Sequence, residues 1–308
     1  MRRAARLGRL AVAALALFCL AGPGNAQQAA NDASQGQVQG QGPGQDKVLR
    51  VCQDPNNLPF SNRAQAGFEN RIAALFAKEL GWKLEQTWFP QRIGFIRNTL
   101  RAKVDNTDRY KCDLVTGVPA GFDMAATTHP YYHSSYALVY VKGKGLDGVH
   151  GLDDLTALKP EQRGRLRFGA FTASPVTEWL VQNKLMEQVD WYQSQTGDAE
   201  QYPGQIVERD LASGKIDVAF VWGPIAGYFA RKSPSAAIMA VPLASRPGMK
   251  LDFEIAMATR HADEEFRQRI DQLIDANRSK ISAILDEYGV PQLDRQGPAA
   301  ASQPAGTP

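Results

Sequence analysis

Apolar positions along the chain recur at two spacings, and the two alternate. Residues 47–52, KVLRVC, are a short apolar run of strand type, and in GFENRIAALFAKELG, residues 67–81, Phe68, Ile72, Leu75, Phe76 and Leu80 fall at helical spacing before a stop at Gly81. KLEQTWF, the helix-like GFIRNTLRA and the strand-like CDLVTGV follow, from Lys83, Gly94 and Cys112. This β-α-β-α-β order predicts a parallel sheet with helices on its faces.

The alternation then restarts. YALVYV at 136–141 reads as a strand leading out, and LRFGAF from Leu166 opens a second series. It continues through SPVTEWLVQNKLM, with Ser174 as N-cap and Pro175 at the first helical position, and VDWYQS. The helical GQIVERDLASG and the strand DVAFVW, ending at Trp222, complete it. AAIMAVPLA from Ala236 reads as a second crossing, DFEIAMATR as a further strand, and residues 262–289 as an amphipathic helical segment with Phe266, Ile270, Leu273 and Ile274 on one face. Two α/β units joined by two crossings predict two lobes with a cleft between them: lobe one at 47–140 and 236–295, lobe two at 141–235.

The ends of the chain read differently. MRRAARLGR, an apolar core and GNA predict a secretory signal peptide over 1–26, cleaved after Ala26, too short and wrongly flanked to be a membrane anchor. Residues 27–46 and 296–308 are rich in small and polar residues and read as a disordered linker and tail. Removing the signal takes away Arg2, Arg3, Arg6 and Arg9, so 35 − 4 = 31 basic residues face 32 acidic ones and the formal charge falls from +3 to −1. Nothing basic remains to suggest nucleic acid.

Export also frames the cysteines. With Cys19 gone, Cys52 and Cys112 remain, an even pair in an oxidising compartment, enclosing 59 residues. A disulfide is the first reading and two buried thiols on neighbouring strands the other.

In open parallel sheets, ligands bind beyond the carboxyl ends of the strands. The loop QDPNNLPFS leaves the first strand there and brings Asn57 and Phe60. The loop after the second strand brings Phe89, Gln91 and Arg92, and the one after the third Pro119, Phe122 and Asp123. Tyr131 precedes the outgoing strand, and lobe two adds Phe171, Ser174 and Trp222. Aromatic walls with a few polar tips describe a small-molecule site or a peptide-docking groove; part of the set reads equally as ordinary core.

Several motifs fail on context. GKGLDG at 143–148 opens no helix, so it reads as a connector and not a dinucleotide loop. Pro130 lies between His129 and His133, which removes the helix that would bring both to one metal, and DNTDRYKCD from Asp105 is too short for a calcium loop. No GxSxG, phosphate loop or CxxC occurs. Asp54, Glu69 and Asp123 could serve as an acid or base in a lyase, a reading that stands behind non-enzymatic binding.

LRVCQDPNNLPFSN, GFENRIAALFAKELG, TWFPQRIGFIRNTLRA, CDLVTGVPAGFD and TTHPYYHSSYALVYV, within 49–141, resemble the J proteins of methanol dehydrogenase gene clusters, the MxaJ and XoxJ family, with the lanthanide-linked XoxJ branch the nearer in look. The resemblance implies a two-lobed periplasmic binding protein fold and an accessory of a pyrroloquinoline quinone methanol dehydrogenase acting in its maturation or activation. It extends to the dehydrogenase's cytochrome c as a partner, and implies no cofactor or catalytic residue of the chain's own. Amino-acid binders of this fold usually carry an arginine after the third strand for the substrate carboxylate. Residues 117–128, GVPAGFDMAATT, hold no cation there, which counts against a free amino acid as ligand and leaves Arg92 as a substitute.

Overall fold

The computed structural model of the protein describes residues 42–293, apart from 194, 195, 197, 199 and 234–236. The expected signal peptide, most of the expected linker and the tail lie outside the described residues.

The chain opens with β1 (Val48–Gln53), whose residues after Val48 are all buried, and a small antiparallel hairpin of β2 (Asn56–Asn57) and β3 (Ser61–Asn62). Helix α1 (Phe68–Leu80) turns Phe68, Ile72 and Phe76 inward and ends on Gly81 at φ 64°, the left-handed conformation glycine takes most easily. It starts hard against the hairpin: a Cβ on Gly67 would lie 2.0 Å from the Phe60 carbonyl oxygen. Next come β4 (Lys83–Trp88), one turn of helix α2 (Phe95–Asn98), β5 (Leu114–Pro119), β6 (Ala126–Thr127) and the long β7 (Tyr132–Val141).

The second half holds α3 (Leu152–Ala157), α4 (Pro160–Arg163), β8 (Phe168–Phe171), α5 (Thr177–Gln182), β9 (Val189–Tyr192), a π-helical segment Ile206–Leu211, β10 (Val218–Trp222), α6 (Gly223–Lys232) and β11 (Ile238–Pro242). Strand β12 (Asp252–Thr259) and helices α7 (Glu264–Ala276) and α8 (Arg278–Glu287) close the fold. The long amphipathic segment is thus two helices, parted at Asn277, whose side chain bonds back to the Leu273 carbonyl.

The strands run in the order β4-β1-β5-β12-β7-β10-β8-β9. Outer pairs on both sides are parallel, and the antiparallel strands β12 and β7 sit at the junction. Each half buries apolar side chains on both faces of its sheet. Leu49, Phe68, Ile72 and Ile270 lie on one face of the first half, and Ile96, Leu100 and the disulfide on the other. Cys52 and Cys112 are bonded, with Cα atoms 5.6 Å apart.

Strand β7 belongs to both halves. Tyr132–Ser135 pair with β12, while Tyr136 onward pairs with β10 and β11. At the change of partner, the Tyr136 N–H donates to the Leu251 carbonyl at 2.7 Å and its carbonyl accepts from the Leu243 N–H at 2.8 Å. This places the return path after β11. The expectation of a crossing at 236 is therefore corrected: β11 pairs with residues 137–141 and packs Ile238 in the second core, and the chain comes back between 243 and 252. An edge strand and a crossing strand carry the same apolar alternation, so pattern alone does not separate them.

Candidate functional site

A cavity of about 780 Å³ lies between the two halves. Six of the expected residues line it: Asn57, Phe60, Gln91, Pro119, Phe171 and Trp222. Each follows or ends a strand at its carboxyl edge, where parallel sheets gather their loops.

The hairpin wall is held from behind. Asp54 accepts from the Asn56 N–H at 2.8 Å and from the Gln91 N–H at 2.5 Å, tying the first loop to the second. The Asn57 Nδ2 donates to Gln91 Oε1 at 3.0 Å, whereas Asn57 Oδ1 has no hydrogen-bond partner among the described residues although Asn57 is only 7% exposed. Phe60 packs on Phe68 at 5.4 Å between ring centroids. Together with Trp222 and Tyr288, it touches the first core and one face of the second.

Across the cavity, Trp222 stands edge-on to Tyr136 at 5.4 Å and to Phe253 at 6.0 Å, and Phe171 meets Tyr192 at 6.0 Å. The Tyr192 hydroxyl donates to Asp210 at 2.6 Å; burial first and this bond second push its pKa up, so it stays protonated. Burial opposes the charge on Asp210, but bonds from Arg209, Tyr192 and Lys215 outweigh it and hold the carboxyl well below its usual range. Tyr202, half-buried, donates to Glu208, and its pKa is pushed up to about 12 by desolvation first and this bond second.

Sequence reasoning missed this second wall. Tyr136, Tyr192, Tyr202, Asp198, Glu200, Arg209 and Ile225 all line the cavity. Tyr192 ends a strand and was open to the same carboxyl-edge argument; the others lie within or after elements whose facing direction no period reveals.

The remaining expected residues stand outside the lining. Phe89 packs on Phe95 at 6.2 Å, with the Arg92 guanidinium 5.3 Å from its ring. Phe122 lies against the core beside the disulfide, and Asp123 is exposed in the following turn. Ser174 is buried but does not cap α5: the helix begins at Thr177, with Val176 in the N-cap place.

Tyr131 points inward to a buried polar cluster. Its hydroxyl donates to Glu69 Oε1 at 2.9 Å, and the Thr116 hydroxyl donates to Glu69 Oε2 at 2.6 Å. Gln53 Oε1 accepts from both Asn70 and Gln86 nearby. Burial raises the Glu69 pKa to about 7 against the pull of its two donors. Tyr132, beside it, is pushed well above its usual value by burial and by the Glu69 charge, with the Trp222 indole pulling it back. Glu69 thus sits behind the cavity wall and not in it.

The two histidines part company: His129 meets Asp275 at 3.0 Å and His133 meets Asp252 at 2.8 Å. Among the described residues no group of three His, Cys, Asp or Glu side chains could hold a metal ion, and no helix is long and apolar enough to cross a membrane.

Comparison with known proteins places this geometry. The periplasmic binding protein XoxJ from Methylobacterium extorquens AM1 superposes with a TM-score of 0.64 at 34% identity, over 80% of this chain and all of that one. MxaJ from Methlophaga aminisulfidivorans MPT gives 0.62 at 27% identity, over 80% of this chain and all of its own. The protein MoxJ of Paracoccus denitrificans is 28% identical over 257 residues, 80% of this chain and 89% of the relative. No protein-family model matches the chain.

Proposed function

Because this chain belongs to the MxaJ/XoxJ family of periplasmic binding proteins, we propose that it is an exported, non-enzymatic accessory of a pyrroloquinoline quinone methanol dehydrogenase, and that the cavity between its halves accepts a segment of that enzyme. The observation that carries the reading is the composition of the cavity. Its walls are Phe60, Phe171, Trp222 and three tyrosines, and its loops present amides and carboxylates. Aromatic side chains of this kind are the usual anchors of a protein interface. The loop after β5, where an amino-acid binder would hold its substrate's carboxylate, brings no cation to the lining, and Asp123 there faces solvent.

Identity of 34% to XoxJ against 27% to MxaJ supports the XoxJ branch and a lanthanide-type dehydrogenase. The cytochrome c of the same system is a second partner on this reading. Export follows from residues 1–26, removed after Ala26.

The volume of the cavity supports a second reading, since about 780 Å³ is also the size of a small-molecule pocket. A transporter's solute-binding subunit would carry its solute through purification, and native mass spectrometry would display it.

The deciding experiment is a titration of residues 27–308 against the cognate dehydrogenase, apo and metal-loaded. Saturable binding that prefers one form is expected. Absence of binding at tens of micromolar, the weak end of specific association, would overturn the accessory role.

A further inference from the structure

The charges on the cavity are one-sided. Asp54, Asp198 and Glu200 line it, and Arg209 is the one cation on the lining among the described residues. Arg209 shares Asp210 with Lys215, its Nε donating to Asp210 Oδ1 at 2.8 Å and the Lys215 Nζ to Oδ2 at 2.9 Å, so one positive charge of this trio is left against the three lining carboxylates. Among the described residues Asp54 receives only neutral backbone N–H groups, and no cation there cancels its negative charge. Asp198 accepts from the Glu200 N–H at 2.9 Å, again without a cation. The loop between Tyr192 and Tyr202, QSQTGDAEQ, contains no basic residue at all.

Two further features agree in sign. Asn57, on the lining, carries a buried acceptor oxygen with no donor among the described residues. The aromatic rings offer faces that attract cations and repel anions. Helix α6 starts on the same wall, at Gly223, and its end contributes the equivalent of about half a positive charge; the three carboxylates outweigh this and the residual charge of Arg209 together.

We infer that the cavity selects a cationic, hydrogen-bond-donating group, an ammonium or guanidinium, presented by a lysine or arginine on the dehydrogenase segment it accepts. The inference rests on the accessory reading for its source and on the cavity alone for its chemistry.

Three capped glycine tripeptides that differ only in a central lysine, norleucine or glutamate serve as probes, read by calorimetry beside the dehydrogenase titration. The lysine peptide binds about tenfold more tightly than the norleucine peptide, the glutamate peptide more weakly than either, and added salt narrows the gap. In the double variant Asp198→Asn, Glu200→Gln, both exposed positions, the lysine preference shrinks at least threefold and dehydrogenase affinity falls with it. Equal binding of the lysine and norleucine peptides, or dehydrogenase affinity indifferent to the double substitution, overturns the inference while leaving the accessory role in place. Lysine preference without any dehydrogenase binding overturns the accessory role instead, and free spermidine competing with the peptide would then identify a soluble amine as the source.

Discussion

Glu69 Oε2 and the Thr116 hydroxyl are 2.6 Å apart in a site where Glu69 is only 4% exposed, and the carboxyl titrates at about 7 because burial outweighs its donors. The folded protein therefore holds a proton that the unfolded chain releases near 4.5. Stability from this group is complete below about pH 4.5 and is lost as pH rises through about 7, a change of roughly 3 kcal/mol. Urea unfolding of Glu69→Gln and the parent at pH 5 and pH 8 is expected to show the variant gaining relative to the parent at the higher pH. A constant difference between the two proteins would mean Glu69 titrates normally.

Gly117 lies over the same carboxylate. Its φ is 72°, and a Cβ there would stand 2.6 Å from Glu69 Oε1. Gly117→Ala is expected to cost about 2 kcal/mol or more, with part of the cost recovered in a Glu69→Ala background, where only the backbone conformation penalty of about 1 kcal/mol remains. Thermal unfolding of the four proteins of the cycle measures it.

The Cys52–Cys112 bond joins β1 to the segment leading into β5. Thiol titration of residues 27–308 in denaturant without reductant should find no free thiol. Replacing both cysteines by serine should lower stability by about 4 kcal/mol in the chain-entropy account.

Asp54 fastens the hairpin to the loop at Gln91. Asp54→Ala should speed hydrogen exchange at the Gln91 and Asn56 amides while leaving β1 amides protected, with a stability loss of about 1–2 kcal/mol. Unchanged exchange at Gln91 would show that the loop is held by other contacts.

Much of the architecture could be read from residue patterns because it rests on burial. Val51 and Leu114 alternate or run as parallel strands require, and Phe68, Ile72 and Phe76 keep helical step. The strand-end argument reached Phe60 and Trp222 for the same reason: a parallel strand's direction follows from its helix crossovers. It failed where a loop's own path decides. Phe122 follows β5 as expected, but its chain turns back at Gly121, φ 76°, and delivers the ring to the core. Tyr131 and Tyr132 are neighbours of like chemistry, and only the pairing with β12 reveals how their rings share the interior with Glu69. The sequence at 193–201 has no apolar period, so nothing in the pattern placed Asp198 and Glu200 on the cavity lining.

The double backbone bond at Tyr136 bears on how such a cavity changes width. One strand carries an unbroken ladder from the first half into the second, and the return path is bonded to the same residue. Among the described residues no slack linker separates the halves, so opening is shared as small bends among paired strands about Ser135 and Tyr136. Cavity width is then an elastic quantity that varies by degrees, and an occupant of intermediate size is met by partial closure in place of a choice between two fixed shapes.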